Sequence, residues 1–190
     1  MKQLSQRQVL IGFALAALMA ATRMHHFGSA LHLPDASLAV FLLAGFFIAS
    51  PLLFAGLLLE AGALDYVAIA HLGVNDYCVT PAYGFLIPTY AVVWFTGRYY
   101  ARIHQQSWRS LGIFSGIAFA AVSVAFIISE GAFYLFSGRQ PGMGLAEYGA
   151  QMAQYFPLYM TGALLYLACA AALYVALTVR APVAAKTTSK

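Results

Sequence analysis

Side chains able to bind a metal or a polar ligand are concentrated in a few short segments of this sequence. Cys78 follows closely after Asp76, and His25 and His26 form an adjacent pair after the first apolar stretch. A cysteine thiolate is a soft ligand that favours transition metals, and imidazole nitrogens are common metal ligands. Cys78 and the histidine pair are therefore the first candidates for a ligand site.

Three acidic residues, Glu60, Asp65 and Glu130, lie in or near apolar stretches. A charge within a bilayer is costly, so such residues are functional candidates. Asp65 lies one to two turns from the end of a predicted helix, below the Cys78 segment. It is placed to accept hydrogen bonds from a ligand or to orient a histidine of the 25–26 pair. The alternative is a helix-end acid in the wet headgroup zone.

Common catalytic motifs are absent from the sequence. It contains no G-x-x-x-x-G-K-[ST] phosphate loop, no H-E-x-x-H and no G-x-S-x-G. Cys78 and Cys169 are far apart and form no C-x-x-C pair, so a redox dithiol is not indicated. We interpret Cys169, among alanines and leucines, as a small buried hydrophobic residue.

The amino-acid composition indicates which secondary-structure elements position these residues. Of the 190 residues, 62% are apolar and 8% are charged, against roughly 25% charged in soluble domains. About 20 apolar residues cross a bilayer as a helix, and lipid tolerates only helices and closed barrels. The stretches are apolar on every side, so the predicted fold class is an all-α integral membrane protein, a six-transmembrane-helix bundle in one domain. The predicted helices are about 9–22, 36–49, 51–70, 82–99, 111–136 and 155–179.

The number six depends on two observations. Ser50-Pro51 interrupts a 35-residue apolar stretch, and proline disfavours an uninterrupted helix there. Eight of the ten basic residues lie in the two termini and the 98–110 loop. If all three segments are cytoplasmic, the positive-inside tendency is satisfied and the number of spans is even. A cleaved N-terminal signal peptide is an alternative interpretation of the first stretch. The net charge of +4 then reflects topology, and we expect no nucleic acid partner.

This topology predicts a polar outer face. The outer loops would be about 23–35, 71–81 and 137–154, which contain Cys78 and four of the five histidines. A membrane protein with ligand-type side chains facing outward has something to capture from outside. The alternative is that loops are simply where polar residues are found. Tyr83, Tyr90 and Tyr134 are candidates to line an outward cavity.

Two segments carry a family resemblance: 24–28 (MHHFG) and 75–84 (NDYCVTPAYG). Together with the chain length and the six predicted helices, they resemble the BtuM family. These are small solitary vitamin B12 transporters related to the substrate-binding S-components of energy-coupling-factor (ECF) transporters. The resemblance covers nearly the whole chain. It implies an S-component-like bundle in the inner membrane of a Gram-negative bacterium.

The resemblance also implies a ligand and its site. Cobalamin would be captured at the outer face as the transported ligand, with no intrinsic cofactor, and the thiolate of Cys78 would ligate its cobalt. His26, Asp65 and Tyr83, with the adjacent His25, would support the site. Cys78 would also be the residue that removes cyanide from cyanocobalamin.

A partner module is implied less directly. S-components dock on an ECF-type energising module through small residues of the first helix. The Gly12, Ala16 and Ala20 seam is compatible with this, although small residues four apart also pack helices within one chain. The resemblance to a solitary family implies that some members work without such a module, and the sequence leaves open which case applies.

Two other functions remain as alternatives. One is a membrane haem or redox protein that uses the outer-face histidines. Bis-histidine haem ligation usually needs histidines on facing helices within the bilayer, whereas these cluster at the outer ends. The other is a structural or assembly subunit without a ligand.

Overall fold

The computed structural model describes residues 4–23 and 33–186, with side chains described as far as residue 178. Within these ranges the chain forms six α-helices, one short 3-10 helix and no strand. The α-helices are α1 (Gln6–Arg23), α2 (Ser37–Phe47), α3 (Pro51–Leu72), α4 (Leu86–Ile103), α5 (Trp108–Phe136) and α6 (Leu145–Lys186), and the 3-10 helix Pro81–Phe85 precedes α4. The predicted all-helical fold is confirmed for this part of the chain.

Three of the described helical segments are long and apolar enough to cross a membrane: α3, α5 and residues Leu145–Thr178 of α6. The helix α2 has 11 residues, about 16 Å at 1.5 Å per residue, whereas the hydrocarbon is about 30 Å thick. The helices α1 and α4, of 18 residues each, are less apolar. The structure is therefore compatible with a membrane protein and supports three crossings by length and composition.

The predicted break at Ser50-Pro51 separates α2 from α3. Ala49 has a positive φ of 52°, which ends α2. The Ser50 hydroxyl accepts a hydrogen bond from the Leu53 amide, and Pro51 occupies the first helical position, where its missing N–H costs nothing. Local chemistry thus turns the chain at the position that the sequence indicates.

The short helix α2 forms the centre of the bundle. Its residues from Ser37 to Gly45 are buried, and it crosses α4 at very close range. A Cβ built on Gly45 would lie 2.0 Å from the Trp94 carbonyl oxygen, and one on Gly97 would lie 2.0 Å from the Leu42 carbonyl oxygen. Only glycine allows the two backbones to approach this closely.

The last helix begins much earlier than the predicted residue 155. It starts at Leu145, so the predicted outer loop 137–154 is reduced to residues 137–144. The polar residues that suggested a loop belong to the first turns of α6. Tyr148 among them is buried, and its hydroxyl donates to the Glu130 backbone carbonyl at 3.0 Å. Because helix turns that pack on a polar partner are as polar as a loop, their composition led to the wrong prediction of a loop.

The other boundaries agree more closely. The predicted 111–136 helix begins at Trp108, because the Ser107 hydroxyl accepts from the Ser110 amide and caps α5. The predicted 82–99 helix begins as the 3-10 turn and continues to Ile103. Cys169 lies in α6 as expected, but its side chain is exposed on the outside of the bundle. The prediction that it is buried was wrong, since an apolar neighbourhood in sequence does not distinguish core from lipid-facing positions.

The chain order of the helices gives the bundle two ends. The Asp65 end contains Arg23, the start of α2, the last turns of α3, the 3-10 helix, and the junction between α5 and α6. The His104 end contains the α2–α3 turn and the α4–α5 loop. Gly12, in the half of α1 nearer the His104 end, faces Ile48 and Leu53 of the same chain. This part of the small-residue seam packs within the bundle.

Candidate ligand site at the Asp65 end

Arg23 and Asp65 form the centre of a polar network at the Asp65 end. The Arg23 Nε donates to Asp65 Oδ1 and its Nη2 donates to Asp65 Oδ2, both at 2.6 Å. The Arg23 side chain is only 9% exposed and that of Asp65 is 24% exposed. Such a two-point contact fixes both groups in one orientation. The last residue of α1 is thereby attached to α3.

The remaining Arg23 donors extend the network to two more helices. Nη1 donates to Ser37 Oγ at 2.9 Å and to the Tyr90 hydroxyl at 2.8 Å, and lies 3.4 Å from Asp35 Oδ2. Ser37 begins α2 and Tyr90 belongs to α4. One guanidinium thus connects α1 to α4 through side chains that are almost removed from water.

Tyr83 completes the network from the 3-10 helix. Its hydroxyl donates to Asp65 Oδ2 at 2.6 Å. The local sequence fixes this tyrosine: the Thr80 hydroxyl accepts from the Ala82 amide, and Pro81 occupies the first position of the 3-10 turn. The structure therefore brings together two of the residues predicted for the site, Asp65 and Tyr83.

Asp65 is already heavily engaged by protein groups. Its two oxygens accept three hydrogen bonds from Arg23 and Tyr83, and a carboxylate has about four lone-pair sites. The expected direct role of Asp65 toward a ligand is therefore secondary. Its main physical effect is to hold the Tyr83 hydroxyl and the Arg23 guanidinium in place.

Cys78 lies in the loop that leads into this network. The loop is shaped by successive turns: the Val79 amide donates to the Asp76 carbonyl at 2.8 Å and the Tyr83 amide to the Thr80 carbonyl at 2.8 Å. Within this frame the Cys78 side chain is exposed. The cysteine is thus free to meet a ligand, while only five residues away Tyr83 contacts Asp65.

The surroundings of Cys78 raise the pKa of its thiol. Partial removal of water by neighbouring protein atoms is the main cause, the carboxylates of Glu130 and Asp65 add to the rise, and Arg139 opposes it. At neutral pH the free thiol is therefore protonated. A ligand that uses the thiolate must displace that proton, as a metal ion does.

Glu130 and Arg139 are contributed by α5 and by the segment that follows it. Tyr148 lies 3.2 Å from Glu130 Oε2 through its hydroxyl, and the Arg139 guanidinium lies over the Tyr77 ring at 5.2 Å. A cation over a ring face is attracted by the ring quadrupole. These contacts fix the α5–α6 junction beside the loop that carries Cys78.

The sequence did not identify Arg23, Tyr148 and Arg139 as parts of this site. Arg23 and Arg139 are the two basic residues outside the termini and the 98–110 loop, so the predicted topology places both on the outer side. That isolation was itself a signal, because a lone cation among several carboxylates at one end of a bundle needs a partner. Tyr90 was a candidate for lining an outward cavity, and it contributes through its bond to Arg23.

The predicted ligand residues His25 and His26 lie outside the described residues, as does His32. The described histidines are His71, exposed near the end of α3, and His104 beyond the end of α4. They lie at opposite ends of the bundle and are not placed to hold one haem between them.

In the described part of the chain, no group of three or more His, Cys, Asp or Glu side chains is arranged to hold a metal ion. The described residues therefore offer Cys78 as a single thiol donor with hydrogen-bonding groups nearby. No family model matches the sequence, and no curated protein is significantly similar to it.

Proposed function

We propose that this protein binds a cobalamin at the Asp65 end and carries it across the inner membrane of a bacterium. The cobalt would be ligated by the thiolate of Cys78, and the Tyr83 hydroxyl oxygen, whose proton is donated to Asp65, would accept a hydrogen bond at the corrin periphery. His25 and His26 would complete the site from the segment that precedes α2. The proposal joins the family resemblance of the sequence to the geometry of this end.

The single observation that carries the proposal is an exposed thiol on a loop held by turns, five residues from a tyrosine fixed by Asp65. A corrin already supplies four nitrogen ligands to its cobalt in a plane, so the protein needs to contribute only one axial donor. A single soft donor is enough for such a corrin-bound cobalt, whereas a free metal ion needs several protein ligands. Fixed polar groups beside the thiol suit the amide-bearing edge of the ring.

Loss of cyanide from cyanocobalamin follows from the same coordination. The Cys78 thiolate would replace the cobalamin's own nitrogen base on the axial face opposite the cyanide, and the displaced base would stay attached to the ligand through its side chain. The cyanide leaves from the opposite face with its own electron pair and takes up a proton. Water can occupy the released position, and the formal oxidation state of cobalt does not change.

The membrane topology belongs to the same proposal. We infer that all six helices lie in the membrane, with the short α2 surrounded by the others and both termini in the cytoplasm. The Asp65 end would then face the periplasm, and the arginines near the α4–α5 loop would satisfy the positive-inside tendency. If an ECF-type energising module takes part, Gly12, Ala16 and Ala20 are its proposed contact.

Transport can be tested through the two residues that the network places together. We expect Tyr83→Phe and Asp65→Asn to reduce vitamin B12-dependent growth of a strain lacking its own importer. Each change weakens a hydrogen bond to a charged group, so we expect about tenfold weaker uptake at limiting vitamin. Tyr99→Phe, the same substitution at an exposed tyrosine of the His104 end, is the matched control. Wild-type growth of both variants at normal protein levels would contradict their assignment.

A further inference from the structure

A large cavity lies at the opposite end of the bundle from Cys78. It has a volume of about 490 Å³ and is bounded by the end of α2, the α4–α5 loop and α6. Its walls are aromatic and include Phe46, Phe47, Phe114 and Tyr174. The volume lies within the range of ligand pockets, roughly 300–1,000 Å³. Nothing in the proposed cobalamin site uses it.

This cavity continues into a longer cleft of about 960 Å³ between α5 and α6. The two spaces share lining residues, among them Trp108, Phe114 and Ala171. Toward the Asp65 end the two helices are closed by ring contacts, such as Phe126 on Phe156 at 5.2 Å. Toward the His104 end the α6 wall carries alanines instead, so the space between the helices stays open.

The length of the cleft indicates what fits it. Along α5 its lining residues extend from Trp108 to Phe119, about 18 Å at 1.5 Å per residue. The hydrocarbon core is about 30 Å thick, so one leaflet contributes about 15 Å. A partner helix that crosses the membrane would need a groove of twice this length. The cleft matches a single acyl chain of one leaflet.

Two arginines flank the cavity mouth in sequence, in a region that contains no acidic residue. The sequence has no Asp or Glu between Tyr77 and Ser129, and none after Glu147. Arg102 and Arg109, both exposed, precede and follow in sequence the residues 104–108 that line the cavity mouth. This region of the sequence offers them no carboxylate, so an external anion can pair with them.

Polar groups and an aromatic anchor also meet at the mouth. His104 Nε2 lies 3.1 Å from the Tyr174 hydroxyl, and the amides of Gln105 and Gln106 line the opening. Trp108 is 81% exposed, and exposed tryptophans are enriched at the level of the lipid headgroups. Hydrogen-bonding groups, arginines and tryptophan thus lie where a lipid changes from apolar chain to charged head.

We propose that this cleft binds an anionic phospholipid of the cytoplasmic leaflet. One acyl chain lies between α5 and α6, and the phosphate lies at the mouth of the cavity, where Arg102 and Arg109 are its proposed partners. Basic pockets between transmembrane helices on the cytoplasmic side are suited to such headgroups. The inference rests on the proposed membrane placement but not on cobalamin as the ligand.

Fluorescence quenching by brominated lipids tests the proposal in intact protein. The full chain is reconstituted in phosphatidylcholine bilayers that contain a small fraction of either brominated phosphatidylglycerol or brominated phosphatidylcholine. Trp108 is exposed at the cleft, whereas Trp94 is buried, so quenching reports mainly on the cleft. We expect half-maximal quenching at about a fivefold lower fraction of the anionic lipid for each arginine that contributes. Equal quenching by the two lipids would overturn the proposal.

Three variants separate the cleft from general surface charge. The double variant Arg102→Gln, Arg109→Gln should lose most of the preference for the anionic lipid. Ala171→Phe, which fills the space shared by the two cavities, should lose it without a change in charge. Arg98→Gln is the matched control, because the Arg98 guanidinium lies over the Trp94 ring at 5.6 Å and Arg98 does not flank the residues of the cavity mouth in sequence. A preference that persists in the first two variants, or is lost equally in Arg98→Gln, would overturn the assignment.

Two further outcomes are informative. Crosslinking across the cleft between two copies of the chain, with no quenching by the anionic lipid, would show that a second copy covers it and would contradict lipid binding. Cobalamin spectra are recorded on the same samples. If the wild-type protein shows no preference for the anionic lipid but gives the thiolate-altered cobalamin spectrum, only the lipid site is contradicted. If it shows the preference but no such spectrum, only the proposed function is contradicted.

Discussion

Replacement of Arg23 by methionine is the most direct test of the network that supports the candidate site. Methionine keeps most of the side-chain volume but removes five donors, and it leaves Asp35 and Asp65 without their shared cation. Removing one partner of a buried ion pair costs about 3–5 kcal/mol. The two carboxylates remain about one quarter exposed, at 27% and 24%, so water recovers part of this. We therefore expect the free energy of unfolding to fall by about 3 kcal/mol, near the lower limit.

The assay is equilibrium unfolding of the purified protein in mixed micelles, followed by circular dichroism. Arg98→Met is the matched control, because Arg98 contacts the Trp94 ring at 5.6 Å and such contacts contribute about 0.5–2 kcal/mol. Asp65→Asn in the Arg23→Met background should recover part of the loss, since it removes an unpaired charge. A loss below about 1 kcal/mol for Arg23→Met, or none beyond the control, would refute the buried bidentate pair.

Three further predictions rest on close packing at Gly45 and on the raised pKa of Cys78. Gly45→Ala should strongly reduce the folded yield, because its Cβ would lie 2.0 Å from a backbone oxygen. Gly112→Ala, whose Cβ would have nothing within 4 Å, should be neutral or slightly stabilising. Thermal unfolding compares the two variants. The pKa of Cys78 is raised, so the rate of maleimide labelling should reach half its maximum at a pH above the ordinary pKa of a thiol. Glu130→Gln should lower that midpoint and Arg139→Gln should raise it, and unchanged midpoints would contradict the electrostatic account. Below this pKa, cobalamin binding through the thiolate releases one proton, so affinity should rise with pH by up to about tenfold per unit.

Local features of the fold were predictable from the sequence. Ser50-Pro51 combines a cap residue with a residue that cannot continue a helix, so the break between α2 and α3 follows from short-range chemistry. Tyr83 and Cys78 are held by turns within a few residues of each other, which the segment Thr80-Pro81 indicates. In each case the neighbours that decide the conformation lie nearby in the chain.

Long-range contacts limited the rest of the prediction. Arg23 and Asp65 are 42 positions apart, and their pairing depends on α1 and α3 ending beside each other. Polar residues in the first turns of α6 indicated a loop because nothing in the sequence shows that Tyr148 packs on Glu130. The cleft between α5 and α6 depends on how two helices separate in space, which hydropathy does not report.

The same limit explains the change in the role of Asp65. Taken alone, an acid inside an apolar helix is a ligand candidate. Paired twice with Arg23 and once with Tyr83, it becomes a support for other groups. At this end the Cys78 thiol is exposed, and the Tyr83 hydroxyl oxygen keeps its capacity to accept a hydrogen bond.

The central claim is that Cys78 ligates the cobalt of a cobalamin, and the ultraviolet–visible spectrum of the purified protein with added cobalamin tests it most directly. We expect the wild-type protein to give a cobalamin spectrum altered by thiolate coordination, and Cys78→Ser to give the spectrum of free cobalamin with weaker binding. Cys169→Ser, at the other exposed cysteine, should retain the wild-type spectrum. An altered spectrum that persists unchanged in Cys78→Ser, or no spectral change in the wild-type protein, would contradict the claim.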